Sequence, residues 1–314
     1  MFVGHAMVAF AIAAAVGARF GLPRERALAL GFAAGAFATV PDVDMSYAVF
    51  GLVKTSTTGV FDAAETFWAS STLVHRVVTH SLVVGFVAAI GVAAWSRADA
   101  GDWWAYPVTG LVFAGLLVAA FATTGLLGGA VMLAFVVAAL AVTTAMRRLA
   151  GLSGSVLFAT ALLGFLSHPF GDLFTGSAPH LLYPLDMTVL AGRVTLHPDP
   201  TVHLVCAFLV ELTTIWLALW VYLSLDGRSP VAYLNQRATL GGGYAAAAFL
   251  LPAPTLDTSY HFVFSVLALG VVGVRPRRPT RWSITEPNLL ETLVTGLAAI
   301  TIAVVGYTAV YLAL

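Results

Sequence analysis

Charged residues are scarce in this chain of 314 residues: Asp, Glu, Lys and Arg make up 10% of it, against about 25% in soluble globular domains. Hydrophobic residues make up 60% of the chain, and the mean hydropathy is +0.92. Lys and Arg number 15, and Asp and Glu also number 15, so no basic excess is present to meet a phosphate backbone. This composition excludes a soluble enzyme, a disordered chain and a charge-driven nucleic-acid-binding protein.

Cysteine is nearly absent, and this excludes several kinds of site. The one cysteine, Cys206, lies within an apolar run. An internal disulfide and a cysteine-rich metal site are therefore impossible. Apolar surroundings raise the pKa of a thiol, so we do not expect a thiol nucleophile. The chain also lacks the His-Glu-x-x-His motif of zincin proteases and a glycine-rich phosphate-binding loop.

Long apolar runs dominate what is present. A membrane-spanning helix needs about 20 apolar residues, and the chain has room for about ten such helices. The sequence therefore predicts an all-α, polytopic transmembrane helical bundle. The predicted spans are 2–18, 25–40, 77–96, 104–123, 126–146, 154–175, 201–225, 238–253, 259–274 and 289–312.

Two of these spans depend on glycine. The apolar stretch 103–146 is too long for one span, and Thr123-Thr124-Gly125 and Gly128-Gly129 supply a break that divides it. The span 238–253 is the weakest of the ten, because it is short and contains Gly241-Gly242-Gly243.

The arginines predict the orientation in the membrane. With ten spans, the side on which the chain begins carries only Lys54, Arg76 and Arg193. The opposite side carries Arg19, Arg24, Arg26, Arg97, Arg147, Arg148, Arg228, Arg237, Arg275, Arg277, Arg278 and Arg281. Positively charged loops stay in the cytoplasm. The side on which the chain begins is therefore predicted to face outward from the inner (plasma) membrane.

The same alternation brings all eight histidines to the outward side. Four segments at helix ends combine histidine with aspartate: Gly4-His5, Pro41-Asp42-Val43-Asp44, His75-Arg76-Val77-Val78-Thr79-His80-Ser81 and Ser167-His168-Pro169-Phe170-Gly171-Asp172. Imidazole nitrogen and carboxylate oxygen are ligands that suit zinc and related divalent metals. Since ionisable groups at membrane depth are costly, we expect this cluster to be functional.

The local patterns predict how these side chains are presented. His168 and Asp172 share one face if their helix is continuous, although Pro169 favours a restart of the helix at that point. An extended Asp42-Val43-Asp44 would place both carboxylates on one side. Arg76 and His80 would share a helix face, with His75 before the helix. Thr79 and Ser81 have an alternative role as helix caps.

These residues predict a metal site with separate roles. The predicted cofactor is a divalent metal, with zinc favoured, as one to three ions. Its predicted ligands are His5, Asp44, His75, His80, His168 and Asp172. Asp42 is predicted to take a proton from water. Arg76 is predicted to hold an anionic group such as phosphate, or else to pair with an aspartate. Thr79 completes the predicted catalytic set.

The four segments, in this order, resemble the membrane-bound metal-dependent hydrolase family, also described as LexA-regulated, inner-membrane-associated, YdjM-like hydrolases. The resemblance includes Val40-Pro41-Asp42-Val43-Asp44, Gly164-Phe165-Leu166-Ser167-His168, Thr175 and Leu182-Tyr183-Pro184, and it ends near residue 186. It implies a metal-dependent hydrolase domain over residues 1–186 and a C-terminal transmembrane extension over 187–314. Two positions depart from the family pattern: Met45 stands where a histidine is common, and Val77 replaces a usual glycine.

A more distant resemblance is to zinc-dependent phospholipase C and related single-strand nucleases. Their ligand order would be filled here by His5, Asp44, His80, His168 and Asp172. This resemblance favours a phosphoester or lipid-like substrate that reaches the site from the membrane.

Two other functions remain open from the sequence. A transporter could use the same cluster to bind a cation or a proton, and Glu211, in the middle of a predicted span, favours it. A scaffold could use a metal only to join its helices. The remaining histidines, His180, His197, His203 and His261, are expected to be solvated at the membrane interface, with Asp257 and His261 as the best additional ligand pair.

Overall fold

All regular secondary structure in the part of the chain that the structure describes is helical. A computed structural model describes residues 3–48, 53, 59–71, 76–274 and 288–314. The α-helices are α1 (Gly4–Arg19), α2 (Arg24–Thr39), α3 (Val60–Ser71), α4 (Leu82–Ala98), α5 (Ala105–Ala150), α6 (Gly154–Gly171), α7 (Pro200–Ser224), α8 (Ala247–Leu250), α9 (Ser259–Ala268) and α10 (Leu289–Ala313). The 3-10 helices are Pro41–Tyr47, Asp172–Phe174, Pro230–Tyr233, Gln236–Ala246, Leu256–Thr258 and Leu269–Gly273. These ranges contain no strand, so the predicted all-α class is confirmed for them.

Several helices are long and apolar enough to cross a bilayer. By length and composition there are five among the described residues: Ala105–Ala150, Gly154–Phe174, Pro200–Ser224, Leu256–Gly273 and Leu289–Ala313. Helix α2 and the 3-10 helix Pro41–Tyr47, which meet at an angle of 41°, give a sixth if they form one broken span. Helices α1 and α4 are apolar but shorter. The protein is therefore a helical membrane protein, and the total of about ten spans stays a prediction.

The chain divides into two compact units, Met1–Val194 and Thr195–Leu314. In the first unit, α2 and α6 approach until their backbones touch. A Cβ atom on Gly164 of α6 would lie 2.7 Å from the carbonyl oxygen of Ala34 and from the backbone nitrogen of Ala38. Phe37, Phe135 and Phe165 are buried around this contact.

Helix α5 doubles back on itself at Gly125, where φ is 69° and the backbone is not helical. Both arms of α5 contact Trp95: its ring centroid lies 6.1 Å from that of Tyr106, and its indole N–H donates to Thr144 Oγ1 over 2.8 Å. A straight helix would separate residues 106 and 144 by about 57 Å. The break predicted at Thr123-Thr124-Gly125 is confirmed.

The two ends of the first unit differ in charge. At one end, the arginine end, Arg26 donates to the carbonyl of Ala150 over 3.1 Å, and Asp99 binds both Arg147 and Arg148. At the other end, the histidine end, the bend in α5 meets the loop after α6 through a hydrogen bond between the hydroxyls of Thr123 and Tyr183. The segments that begin with His5, Asp42, His80 and His168 all lie at this second end.

The second unit packs α7, α9 and the 3-10 helix Gln236–Ala246 around α10, with Phe208, Phe262 and Tyr307 in its core. The predicted span 238–253 is not a regular α-helix, because this segment is 3-10 helix followed by the four-residue α8. Three consecutive glycines are poor α-helix formers. Gly241 also lies so close to α10 that a Cβ atom would be 2.1 Å from the carbonyl oxygen of Ala299.

Candidate metal centre

Three histidines and three aspartates from four segments meet at the histidine end of the first unit. His5 lies in the first turn of α1, Asp42 and Asp44 lie in the 3-10 helix after α2, His80 precedes α4, and His168 and Asp172 close α6. Five of the six are at least 98% buried, and the side chain of Asp42 is 24% exposed. The predicted ligand His75 lies outside the described residues.

His168 is held from behind by a helix backbone. Its Nδ1 lies 2.6 Å from the carbonyl oxygen of Ala38, at the end of α2. Since a carbonyl oxygen only accepts hydrogen bonds, Nδ1 carries the proton and donates. The lone pair of the neutral ring is then on Nε2, which faces the other residues of the cluster.

His80 is held in the same way, but by side chains. Its Nδ1 lies 3.0 Å from Thr79 Oγ1 and 3.4 Å from Asp44 Oδ2, and the Thr79 hydroxyl donates to Asp44 Oδ2 over 3.1 Å. A proton on Nδ1 satisfies both oxygens, which leaves Nε2 of His80 directed to the cluster. Asp44 and Thr79 therefore contact His80 on the side away from the other histidines.

The centre of the cluster is made of hydrogen-bond acceptors. The two Nε2 atoms of His80 and His168 are 3.0 Å apart. Asp42 Oδ1 lies 3.4 Å from Nε2 of His168 and 3.7 Å from Nε2 of His80, and Asp172 Oδ2 lies 3.1 Å from Nε2 of His80. Two lone pairs and two carboxylate oxygens at these distances repel one another unless a proton or a cation lies among them.

The two carboxylate oxygens of Asp172 contact different partners. Its Oδ1 lies 3.3 Å from Nε2 of His5 and 3.0 Å from Nη2 of Arg76, while its Oδ2 faces His80. The ring of His5 packs against that of His168 with 3.9 Å between centroids and a tilt of 31°, and Nδ1 of His5 has no hydrogen-bond partner among the described residues. Asp172 thus connects His5 to the other two histidines.

The donor set fits a divalent transition metal. His5, Asp42, His168 and Asp172 each offer one ligand atom, and these atoms all lie within 4.8 Å of one another. Zinc bonds of about 2.0–2.1 Å place tetrahedral ligand atoms about 3.3 Å apart. The separations of 3.0–3.8 Å among the cluster atoms of His80, His168, Asp42 and Asp172 are close to that value. Nitrogen and oxygen donors without sulfur also suit zinc, manganese and iron.

Local structure departs from the sequence prediction at three places. Asp42-Val43-Asp44 is a 3-10 helix and not extended, so residues two apart are turned by about 240°; this explains why the two carboxylates contact different sides of His80. Helix α6 does not restart at Pro169; it continues through this residue and ends at Gly171. Arg76 and His80 both precede α4, whose N-cap is Ser81, and so share no helix face. The alternative capping role of Ser81 is confirmed: its hydroxyl accepts from the backbone N–H groups of Val83 and Val84.

Sequence reasoning missed the backbone contributions to this site. The carbonyl of Ala38 carries no signal in the sequence, because every residue has one. The turn Thr175-Gly176-Ser177, which contacts Arg76, has a recognisable signal in Gly176, whose φ is +61°.

Among the described residues, the group whose ligand atoms lie together does not include His180, His197, His203 or His261. His180 is exposed. Nδ1 of His203 accepts the backbone N–H of Leu196 over 3.1 Å, and Nδ1 of His197 accepts that of Asp199 over 3.0 Å. Glu211 is half-buried in α7 of the second unit.

Comparison with known families agrees with the membrane assignment. Residues 1–127 match the model of the YdjM inner membrane protein family. The matched region contains His5, Asp42, Asp44, Arg76 and His80, while His168 and Asp172 lie beyond it. Comparisons with curated proteins and with solved structures give no match. The family match and the apolar helices together support a membrane protein.

Proposed function

We propose that this protein is an integral-membrane, metal-dependent hydrolase that acts on a phosphoester or lipid-like substrate. The observation that carries the proposal is the buried cluster of imidazole nitrogens and carboxylate oxygens at one end of a membrane-embedded helical unit. Such a cluster costs free energy in an apolar environment unless it binds a cation or a substrate.

The roles of the two neighbouring aspartates follow from what each one contacts. We assign His5, His80, His168, Asp42 and Asp172 as metal ligands, because their atoms face the centre of the cluster. We assign Asp44 and Thr79 to the orientation of His80, because they contact its Nδ1. Hydrogen bonds of this kind fix the tautomer of a metal-binding histidine.

A divalent metal bound here would acidify water and polarise a phosphoryl or carbonyl oxygen. The chain's own contribution is to hold the ligands and to exclude water from five of the six side chains. Asp42 is the member of the cluster that solvent reaches, so water and substrate would meet the cluster at this carboxylate. Since Oδ1 of Asp42 faces the histidines, its second carboxylate oxygen can accept the proton of an attacking water molecule.

The proposal includes the orientation and the number of spans. We propose ten spans: α1, α2 with its 3-10 extension, α4, the two arms of α5, α6, α7, residues 236–250, residues 256–273 and α10. The 3-10 residues 236–246 rise about 2.0 Å each, so that segment with α8 reaches about 28 Å, close to the apolar thickness of a bilayer. The arginine end of the first unit would then face the cytoplasm, and the histidine end would face outward.

Metal analysis of the full-length protein in detergent tests the proposal. After loading with Zn²⁺ and removal of excess metal, we expect bound zinc in the wild type and a loss in the His168→Ala and Asp172→Ala variants. His180→Ala is the matched control, because His180 is exposed and outside the cluster. A wild type that binds no zinc, or variants that bind as much as the wild type, would reject the metal site.

Activity is measured on the same samples. A zinc-loaded wild type that hydrolyses a chromogenic phosphodiester or a short-chain phospholipid, with an inactive His168→Ala variant, supports the hydrolase. Metal binding without turnover, together with zinc flux in proteoliposomes that is lost on Glu211→Ala, would favour the transporter instead.

A further inference from the structure

The guanidinium group of Arg76 is enclosed by the chain that follows α6. Arg76 is only 6% exposed. Its Nη1 donates to the carbonyl oxygens of Asp172 and Ser177, over 3.1 and 3.0 Å, and also to the carbonyl of Thr175. Its Nη2 donates to Asp172 Oδ1 and to Thr175 Oγ1, over 3.0 and 3.1 Å. The N–H groups of both terminal nitrogens are therefore in use within the protein.

The backbone around Arg76 is shaped for this enclosure. Arg76 has a φ of +67°, which is rare for residues other than glycine. Gly176, on the opposing turn, has a φ of +61°, and a Cβ atom there would lie 2.9 Å from Nη1 of Arg76. The two left-handed residues allow the turn 175–177 to close over the guanidinium.

The main chain of Arg76 joins the same structure. Its N–H faces Asp44 Oδ2 at 3.4 Å, and its carbonyl accepts the N–H of His180 over 3.0 Å. Arg76 thus contacts the aspartate that orients His80 and, through its side chain, the aspartate that lies between the histidines.

We propose that Arg76 is a positioning residue that fixes the carboxylate of Asp172 toward the metal, and that it does not contact the substrate. The inference rests on the proposed metal site and deepens it. A bidentate Arg–phosphate contact needs two free N–H groups, and the described contacts already use those of Nη1 and Nη2. With Oδ1 of Asp172 held by Arg76, Oδ2 is left directed at His80.

The test uses Co²⁺ as the metal, because its visible absorption spectrum reports the ligand geometry. The full-length protein is compared with Arg76→Lys, which keeps the charge but loses the planar fork, and with Thr175→Val, which removes one acceptor and keeps the side-chain shape. Arg26→Lys is the matched control, since Arg26 binds a carbonyl oxygen at the arginine end. Each sample is titrated with Co²⁺ and then with inorganic phosphate.

We expect Arg76→Lys to weaken Co²⁺ binding by about 10–100-fold, the usual effect of losing an outer hydrogen-bond partner of a metal ligand, and to alter the Co²⁺ spectrum. Thr175→Val should change the Co²⁺ affinity and the spectrum in the same direction, but by less. This second variant keeps the inference testable if Arg76→Lys fails to fold. Arg26→Lys should match the wild type. Unchanged Co²⁺ affinity and spectrum in both site variants would overturn this inference but not the proposed metal site. If Arg76→Lys then also loses the response to phosphate, the result is most direct, because it would place Arg76 in contact with the substrate. A wild type that binds no Co²⁺ would overturn the proposed function, and this inference with it.

Discussion

Nδ1 of His168 lies 2.6 Å from the carbonyl oxygen of Ala38, so the end of α2 determines which nitrogen of a histidine on α6 faces the metal centre. The same two helices touch one turn earlier, at Gly164. The packing of α2 against α6 and the orientation of the proposed ligand His168 are thus coupled. A side chain that separates these helices should affect both.

Gly164→Ala tests this coupling. The added Cβ would lie 2.7 Å from the backbone of Ala34 and Ala38, so the helices must move apart. We expect the free energy of unfolding to fall by about 1–3 kcal/mol, as for overpacked cores, and zinc affinity to fall because the Ala38–His168 bond lengthens. Thermal unfolding and zinc titration in detergent measure the two effects. Gly110→Ala is the control, because a Cβ there has no neighbour within 4 Å; an equal effect of both variants would contradict the explanation.

The two aspartates of the 3-10 helix should differ when each is changed to asparagine. Asp44→Asn weakens a hydrogen bond to Nδ1 of His80, for which a loss of about 10–100-fold in zinc affinity is expected. Asp42→Asn removes the negative charge from a ligand oxygen, so its loss should be larger. Competition against a zinc-binding dye gives both affinities. If Asp44→Asn proves the more damaging variant, the assignment of Asp42 as ligand and Asp44 as orienting residue is wrong.

Much of the fold could be predicted from the sequence because a bilayer restricts the choices. Long apolar runs form helices there, since no water is present to bind the backbone. Apart from α3, which matches no predicted span, and the 3-10 residues 236–246, the described helices follow the predicted spans closely. The break at Gly125 and the cap at Ser81 were also predictable, because glycine and serine have specific roles at such positions. His5, His80 and His168 do lie at one end of the first unit, as the alternation of helix ends predicted.

The finer parts of the site could not be predicted, because they depend on tertiary contacts. The left-handed φ of Arg76 is stabilised by carbonyl groups nearly a hundred residues later in the chain. The opposite contacts of Asp42 and Asp44 depend on a 3-10 rather than an extended backbone, and both conformations were compatible with Pro41. Gly241-Gly242-Gly243 marks residues 236–246 as a weak α-helix, but the close approach of Gly241 to Ala299 of α10 is a tertiary contact that the local pattern does not report.

Asp99 predicts a dependence of stability on acidic pH at the arginine end. A hydrogen bond from Arg148 and the charges of Arg147 and Arg148 hold the pKa of Asp99 below its ordinary value of 3.8. The ionised carboxylate therefore stabilises the folded state fully above that value, and the stabilisation is lost as the pH falls below it through the folded-state pKa. We expect Asp99→Asn to unfold at a lower temperature than the wild type at pH 7.

The difference in unfolding temperature between the wild type and Asp99→Asn should shrink as the pH is lowered below 3.8. Thermal unfolding in detergent across pH 3–7 gives the comparison, and Asp102→Asn, at an exposed residue of the same connection, is the control. A difference that stays constant over this range would show that Asp99 stabilises the protein by something other than its charge.

The proposed orientation can be tested with single cysteines at the two ends of the first unit. In a Cys206→Ala background, Val189→Cys places an exposed thiol in the loop after α6, at the histidine end, and Leu149→Cys places one in the last turn of α5, at the arginine end. A membrane-impermeant maleimide should label Val189→Cys on intact cells and should label Leu149→Cys only after the cells are opened. The physical reason is the excess of arginine on the side of the arginine end, because positively charged loops are retained in the cytoplasm. The reverse pattern would place the metal centre on the cytoplasmic side without affecting its geometry, whereas labelling of both thiols on intact cells would contradict the alternation of the spans itself.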